Sequence, residues 1–193
     1  MTQLLKYNIS KHITLSDKEM EDFCGLFQPK EIKKKEFLLR EGEMCNFEGF
    51  VTKGLFRVYH VDHKGFEHVL YFAIENWWIT DIDSFTNQKP SQLYIEALED
   101  SELLVISKLN KEHAYTKLPN IEKLFRIMTQ KTHVALQRRM IDSLSKRADD
   151  RYVDFIEKYP QLSQRLTNLQ IAAYLGISHE FVSKIRKKIS LRN

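Results

Sequence analysis

The sequence is poor in cysteine, glycine and proline, and it lacks any long apolar run. Its two cysteines, Cys24 and Cys45, are too few for a disulfide framework, so a reducing, cytoplasmic setting is expected. They also exclude a four-cysteine iron–sulfur cluster held within one chain. Six glycines and four prolines in 193 residues leave no low-complexity tract. No stretch approaches the roughly 20 apolar residues that span a bilayer. The opening MTQLLKYNISKHITLSDKE lacks the charged-then-apolar layout of a secretory signal. GxSxG, HExxH and a phosphate-cradling glycine loop are all missing, so no enzyme is expected. Asp81 and Asp83 form a carboxylate pair without an acid–base context. The chain has only two tryptophans, and they are adjacent, in the corner WWITDIDSF.

What is present suffices for a folded core: 42% of residues are hydrophobic, and 29% are charged. The net charge of +4 is unevenly spread. Residues 161–193 carry six basic side chains (Arg165, Lys184, Arg186, Lys187, Lys188, Arg192) against Glu180, or +5. The remaining 24 basic and 25 acidic side chains leave the rest at −1. A basic end on a near-neutral body points to a polyanion.

The texture changes twice along the chain. LSDKEMEDFCGLF reads as a short amphipathic helix with Ser16 as N-cap and Glu19 completing a capping box. Then EFLLR, EGFVT, GLFRVYHV, FEHVLYFAI, LYIEAL and ELLVIS follow one another as short strands separated by turn signals, the pattern of a β-sandwich or small barrel. RVYHVDHKGFEHVLYF is the clearest hairpin, with Gly65 available for positive φ. Its histidines, His60, His63 and His68, read as solvated rather than as metal ligands. From Pro119 the sequence turns helical: Ile121, Leu124, Phe125, Met128, Ala135, Ile141 and Leu144 form a stripe that must pack on the β-domain or on a second copy of the chain. DDRYVDFIEKYP predicts a further helix ended by Pro160.

LTNLQIAAYLGISHEFVSKIRKKI is the most specific stretch. Thr167 and Gln170 have capping-box spacing. Ile171 and Leu175 supply a buried face, and Ala172 allows a close crossing. Gly176 can end the helix in the left-handed region. Ile177 plugs the turn, Ser178 caps a second helix, and Val182 and Ile185 pack that helix back onto the first. This is the inventory of a helix-turn-helix. His179, Glu180, Ser183, Lys184 and Lys187 are left exposed, where they can reach base edges and phosphates.

A β-roll, a long helix and a C-terminal helix-turn-helix resemble the cyclic-AMP receptor and fumarate–nitrate regulator (Crp/Fnr) superfamily of bacterial transcription factors. REGEMCNFEGFVTKGLFRVY looks like that family's early β-roll, with Gly42-Glu43 and Gly54 at its turns. WWITDIDSF, YIEALEDSELL and IAAYLGIS followed by SKIRKKI resemble its Bacteroidetes-type branch. The resemblance implies an α+β fold: a β-roll (double-stranded jelly roll) sensor over residues 1–118, a long dimerisation helix over 119–146, and a helix-turn-helix domain over 147–193. It implies phosphate contacts from Thr167 and Ser178, and base contacts from His179, Glu180 and Lys184. His179 stands where cyclic-AMP receptors carry arginine, so a different base preference is expected. Few residues follow Ile189, so the family's β-hairpin wing looks absent or minimal. The implied partners are double-stranded DNA and a second copy as homodimer, with RNA polymerase and an unidentified small-molecule effector as candidates. No cofactor and no membrane are implied. The alternative function is a ligand-binding or interaction module that has lost DNA binding.

In cyclic-AMP-binding members of the family, a Gly-Glu pair holds the ribose and an Arg-Ser or Arg-Thr pair holds the phosphate. Here Thr80-Asp81 and Ser91-Gln92 fall at those places, which makes Thr80, Asp81, Ser91 and Gln92 the candidate effector pocket. The phosphate arginine is missing. A charge-assisted hydrogen bond of about 1.5–3 kcal/mol, roughly ten- to over a hundredfold in affinity, goes with it. Cyclic AMP is therefore not expected to bind. The corner holds another ligand or is packed core.

Overall fold

The computed structural model describes residues 2–190. Two helices lead the chain, α1 (Thr2–Ser10) and α2 (Asp17–Cys24). The capping box of α2 is formed: Ser16 Oγ accepts from the Glu19 N–H, and Glu19 Oε2 accepts from the Ser16 N–H. Then come β1 (Gln28–Ile32), β2 (Phe37–Leu39), β3 (Phe47–Lys53), β4 (Phe56–Val61), β5 (Glu67–Ala73) and β6 (Trp78–Ile79). A short helix α3 (Ile82–Asn87) interrupts them before β7 (Tyr94–Ala97) and β8 (Ser101–Ser107). The helices α4 (Lys108–Lys117), α5 (Pro119–Ser145), α6 (Ala148–Lys158), α7 (Pro160–Arg165), α8 (Asn168–Leu175) and α9 (His179–Ser190) complete the described chain. The fold is the expected α+β arrangement of β-roll, long helix and helix-turn-helix.

The strands form two four-stranded sheets, ordered β1-β8-β3-β6 and β2-β7-β4-β5. Pairing is antiparallel at β1–β8, β3–β8, β3–β6, β2–β7 and β4–β7. All six apolar runs read as strands are strands. β1 and β6 were not legible: QPKEI is nearly all exposed, and β6 has only two residues. Two tight turns rest on a glycine at positive φ. Gly54, at φ +98°, lies so close to Ser101 that an added Cβ would strike its Oγ at 2.1 Å and its Cα at 2.8 Å. Gly65 takes φ +82° in the β4–β5 turn, as the hairpin requires.

The chain falls into two compact units, Met1–Tyr59 with Phe72–Lys131, and His60–Tyr71 with Thr132–Asn193. In the first, Leu5, Ile9 and Phe23 of the N-terminal helices pack with Phe50 and Ile106 of the sheet and with Ile121, Leu124 and Phe125 of α5, all essentially buried. Each such side chain contributes about 1.5–3 kcal/mol. The second has its own core, which includes Tyr152, Phe155, Leu162, Ile171, Val182 and Ile185.

The helical stripe of α5 is therefore divided. Its first turns, including the half-buried Met128, are used within the first unit's core. Leu136, Met140 and Leu144, spaced four apart, stay exposed, Leu144 at 78%. Pro160 does more than end α6. It occupies the first turn of α7, where its missing N–H costs nothing.

Candidate functional site

The tryptophan corner is built by two different chemistries. Trp78 is a core residue. Its ring meets Phe27, Phe50 and Phe125 edge-on at 5.2–6.0 Å. Its indole N–H donates to Asn8 Oδ1 at 3.0 Å, and Asn8 in turn donates to Asn76. The half-buried indole thus gains an internal hydrogen-bond partner.

Asp81 serves the backbone. It is the N-cap of α3, with Oδ1 accepting from the N–H groups of Asp83 and Ser84 at 3.1 and 3.3 Å. Oδ2 accepts from Ser91 Oγ at 2.6 Å, with Asp81 and Ser91 only 4% and 3% exposed. Thr80 donates to the Phe47 carbonyl at 2.9 Å and lies 3.5 Å from Cys45 Sγ. Burial pushes the Cys45 thiol up, so it stays protonated. Ser84 joins the same cluster, accepting from the Cys45 N–H and donating to the Lys89 carbonyl. Three of the four candidate pocket residues, Thr80, Asp81 and Ser91, are thus brought together, while Gln92 faces solvent. Both oxygens of the carboxylate placed to take a ribose hydroxyl are already engaged.

Two cations could have stood in for the missing arginine, and each is neutralised locally. Lys89 pairs with Asp83 at 2.7 Å, which, with the Asn87 amide, holds that carboxyl below its ordinary range. Arg57 forks onto Glu96 through Nε and Nη2 at 3.0 and 2.7 Å, and Tyr59 adds its hydroxyl. The register Arg57↔Glu96 and Val58↔Ile95 puts Arg57 on one sheet face. Val58 and Ile95, both fully buried, occupy the other.

At the other end, α8 and α9 form the helix-turn-helix residue by residue. Thr167 caps α8, its Oγ1 accepting from the Gln170 N–H at 3.2 Å while Gln170 Oε1 accepts from the Thr167 N–H at 2.8 Å. Gly176 ends α8 at φ +66°, and the half-buried Ile177 sends its N–H back to the Ala172 carbonyl. Ser178 Oγ accepts from the Phe181 N–H at 3.3 Å. Ile171, Ala172, Val182 and Ile185 seal the crossing.

Opposite that seam, His179, Glu180, Ser183, Lys184 and Lys187 are all exposed. Its own N–H and the Ser178 hydroxyl hold the Glu180 carboxyl below the ordinary glutamate range, and His179 Nδ1 lies 3.2 Å from it. Glu180 is an ionised acceptor at a helix N-terminus.

Sequence reasoning passed over two residues at this surface. Arg186 Nη1 donates to Asn168 Oδ1 at 2.5 Å, and the Asn168 amide donates to Ser183 Oγ at 3.3 Å. Ser183 meanwhile donates to the His179 carbonyl. Ser183 is therefore partly spent on holding α9 to α8, and Arg186 is aimed by Asn168. The charge of Arg186 was visible in the sequence; its partner, 18 residues away, was not. The wing falls partly on residues 191–193, outside the described residues. Among the described residues, no helix is long and apolar enough to cross a membrane, and no group of three or more His, Cys, Asp or Glu is placed to hold a metal.

Residues 29–113 match the family model of the cyclic nucleotide-binding domain. No curated protein matches the chain. Among solved structures, the c-di-GMP-responsive global regulator CLP of Xanthomonas campestris is similar at 15% identity, over 91% of this chain and 92% of that one, with a TM-score of 0.76. FixK2 of Bradyrhizobium japonicum is similar at 17% identity, over 86% and 85% of the two chains, with a TM-score of 0.77. A protein from Eubacterium rectale described as a Crp/Fnr-family regulator is similar at 16% identity, over 92% and 85%, with a TM-score of 0.71.

Proposed function

We propose that this chain, which carries a cyclic nucleotide-binding domain on the fold of the Crp/Fnr regulators, is a cytoplasmic, dimeric, DNA-binding transcription regulator. Residues 1–118 serve as sensor, 119–146 as dimerisation helix and 147–193 as DNA-binding domain. One observation carries the reading. α9 has its apolar side sealed against α8, and it presents Ser183, Lys184 and Lys187 along its opposite side with His179 and Glu180 at its N-terminus. A helix held in this way can enter a major groove with its N-terminal residues at the base edges. Glu180 accepts from a cytosine amino group, Lys184 donates to guanine, and Lys187 and Arg186 meet phosphate. Thr167 and Ser178, at the two helix starts, add phosphate contacts.

Dimerisation is supported by the exposed row Leu136, Met140 and Leu144. Together with Arg139 and Ser143 these residues line an open groove of about 270 Å³ on α5. An apolar row left uncovered on a 27-residue helix is suited to a second copy related by a two-fold axis. Two such copies present recognition helices about 34–36 Å apart to a near-palindromic site.

The corner formed by Thr80, Asp81 and Ser91 takes no cyclic AMP. The carboxylate is engaged twice over, and both stand-in cations are paired. A different small molecule remains the candidate effector, and the molecule acts by binding rather than by catalysis.

Selection of bound duplexes from a random DNA pool, with and without cell extract, tests this reading. Enrichment of a near-palindrome whose affinity falls steeply with salt supports it. Failure to enrich any duplex in either condition leaves an interaction module that has lost DNA binding.

A further inference from the structure

Within the second unit one side chain, Arg139 of α5, gathers three backbone carbonyls from two other elements. Its Nη1 donates to the Leu70 carbonyl, and its Nη2 donates to the carbonyls of Val69 at 2.9 Å and Tyr174 at 2.5 Å. Its guanidinium also lies over the Tyr174 ring, 4.0 Å from the centroid. Val69 and Leu70 belong to β5, an edge strand of its sheet, where a carbonyl that points away from β4 has no ladder partner. Tyr174 belongs to the last turn of α8, where carbonyls have no intrahelical partner. Arg151 of α6 takes the next such carbonyl, Leu175, at 3.2 Å, and also binds the Ser143 carbonyl at 2.8 Å. The C-terminal end of α8 is thus fixed by two arginines, and one of them also holds the β4–β5 hairpin.

This arrangement suits arginine alone. A planar guanidinium offers five donors in a rigid fork, so it can serve carbonyls on two elements while stacking on an aromatic ring, whereas the lysine ammonium cannot. Because α8 and α9 share one sealed seam, whatever fixes α8 also fixes α9.

We infer that Arg139 is a positioning residue for DNA binding: it ties the edge of the β4–β5 hairpin to the C-terminal end of α8, so that α9 is presented to DNA only while the hairpin is seated. This rests on the DNA-binding reading above. The hairpin, residues 60–71, is the continuation of strands β4 and β5 of the β-roll, so a displacement of those strands reaches α8 and α9 through Arg139. Arg139 itself needs no contact with DNA.

The test uses the full chain, a selected duplex and five proteins: the parent, Arg139→Met, Arg139→Lys, a variant with turn residues 62–66 replaced by Asn-Gly, and the combination of that turn with Arg139→Met. Arg139→Met should weaken duplex binding about tenfold or more and leave the slope of log affinity against log salt unchanged, because no phosphate contact is lost. Hydrogen exchange should rise together at the amides of 60–71 and of α8. The shortened hairpin should weaken binding to a similar extent, and the combination should be no weaker than either alone. Arg139→Lys keeps the stem and charge without the fork. It guards against a folding defect and should also lose affinity. Arg139→Met with parental affinity overturns the inference alone, as do additive losses in the combination or a rise in exchange confined to one element. A parent that binds no duplex overturns the DNA-binding reading instead.

Discussion

Replacing Asp81 separates a structural corner from a ligand site. In Asp81→Ala, α3 loses its N-cap, which costs about 0.5–2 kcal/mol. The Ser91 hydroxyl loses a buried, charge-assisted bond of about 1.5–3 kcal/mol. Part of that is recovered, because Ser91 Oγ can turn to the Leu93 carbonyl at 3.2 Å. The expected net loss is about 2–4 kcal/mol, a fall in Tm of roughly 5–15 °C for a chain of this size. Asp81→Asn keeps an acceptor for the cap but loses the charge, and it should cost about 1 kcal/mol. The assay is urea unfolding followed by tryptophan fluorescence. Trp77 and Trp78, the only tryptophans, lie within four residues of the substitution, so the probe reports on the corner itself. The reasoning is refuted if Asp81→Ala moves stability by less than about 0.5 kcal/mol while abolishing an effector response in extract. Asp81 would then be a ligand acceptor whose internal bonds contribute nothing.

Three further outcomes are expected. Met140→Glu, at a side chain 65% exposed, should shift the chain toward monomer in sedimentation at micromolar concentration; a parent that is itself monomeric there removes the basis for a dimer seam. Met128 is unsuited to that experiment because it also packs on the first unit's core. Glu180→Ala should change which base is preferred at one position per half-site by roughly 1–3 kcal/mol, whereas Lys187→Ala should weaken all duplexes alike and reduce the salt slope by about 0.9; footprints and salt titrations unchanged in both variants would remove α9 from the interface. Asp62 is pulled from 3.8 to about 2, first by the His68 ring and then by the N–H groups of Phe66 and Lys64. Its folded value is depressed, so its contribution to the β4–β5 turn is full above the ordinary aspartate range and is lost as pH falls through about 2. An NMR titration of its carboxyl carbon should show that low midpoint; a midpoint near 3.8 would mean that the turn does not hold the carboxylate.

Local signals determined much of this protein. The Ser16–Glu19 and Thr167–Gln170 boxes, the left-handed Gly176 and Gly65, and the apolar faces of α8 and α9 depend on neighbours a few residues away. Residue type and spacing therefore carry them. The six apolar strand runs were legible for the same reason, since short β-branched and aromatic runs bounded by turn residues mark strands locally. Elements without such a pattern were not. α1 is recognisable only because Leu5, Asn8 and Ile9 find the sheet and Trp78. β6 exists only because Phe50 and Gly49 lie opposite Trp78 and Ile79. The stripe of α5 looked continuous because periodicity records which residues are apolar and not what covers them; its division at Met128 was decided by where the first core ends. The same limit governed the corner around Asp81. The sequence placed a carboxylate and a hydroxyl at the effector positions, but only the fold could join Asp81 to Ser91, Arg57 to Glu96 and Lys89 to Asp83. Arg139 is the extreme case: its hydrogen-bond partners are backbone carbonyls, which every residue has, so no choice of side chain at Val69 or Leu70 could have announced it, and only the fold brings the Tyr174 ring against its guanidinium.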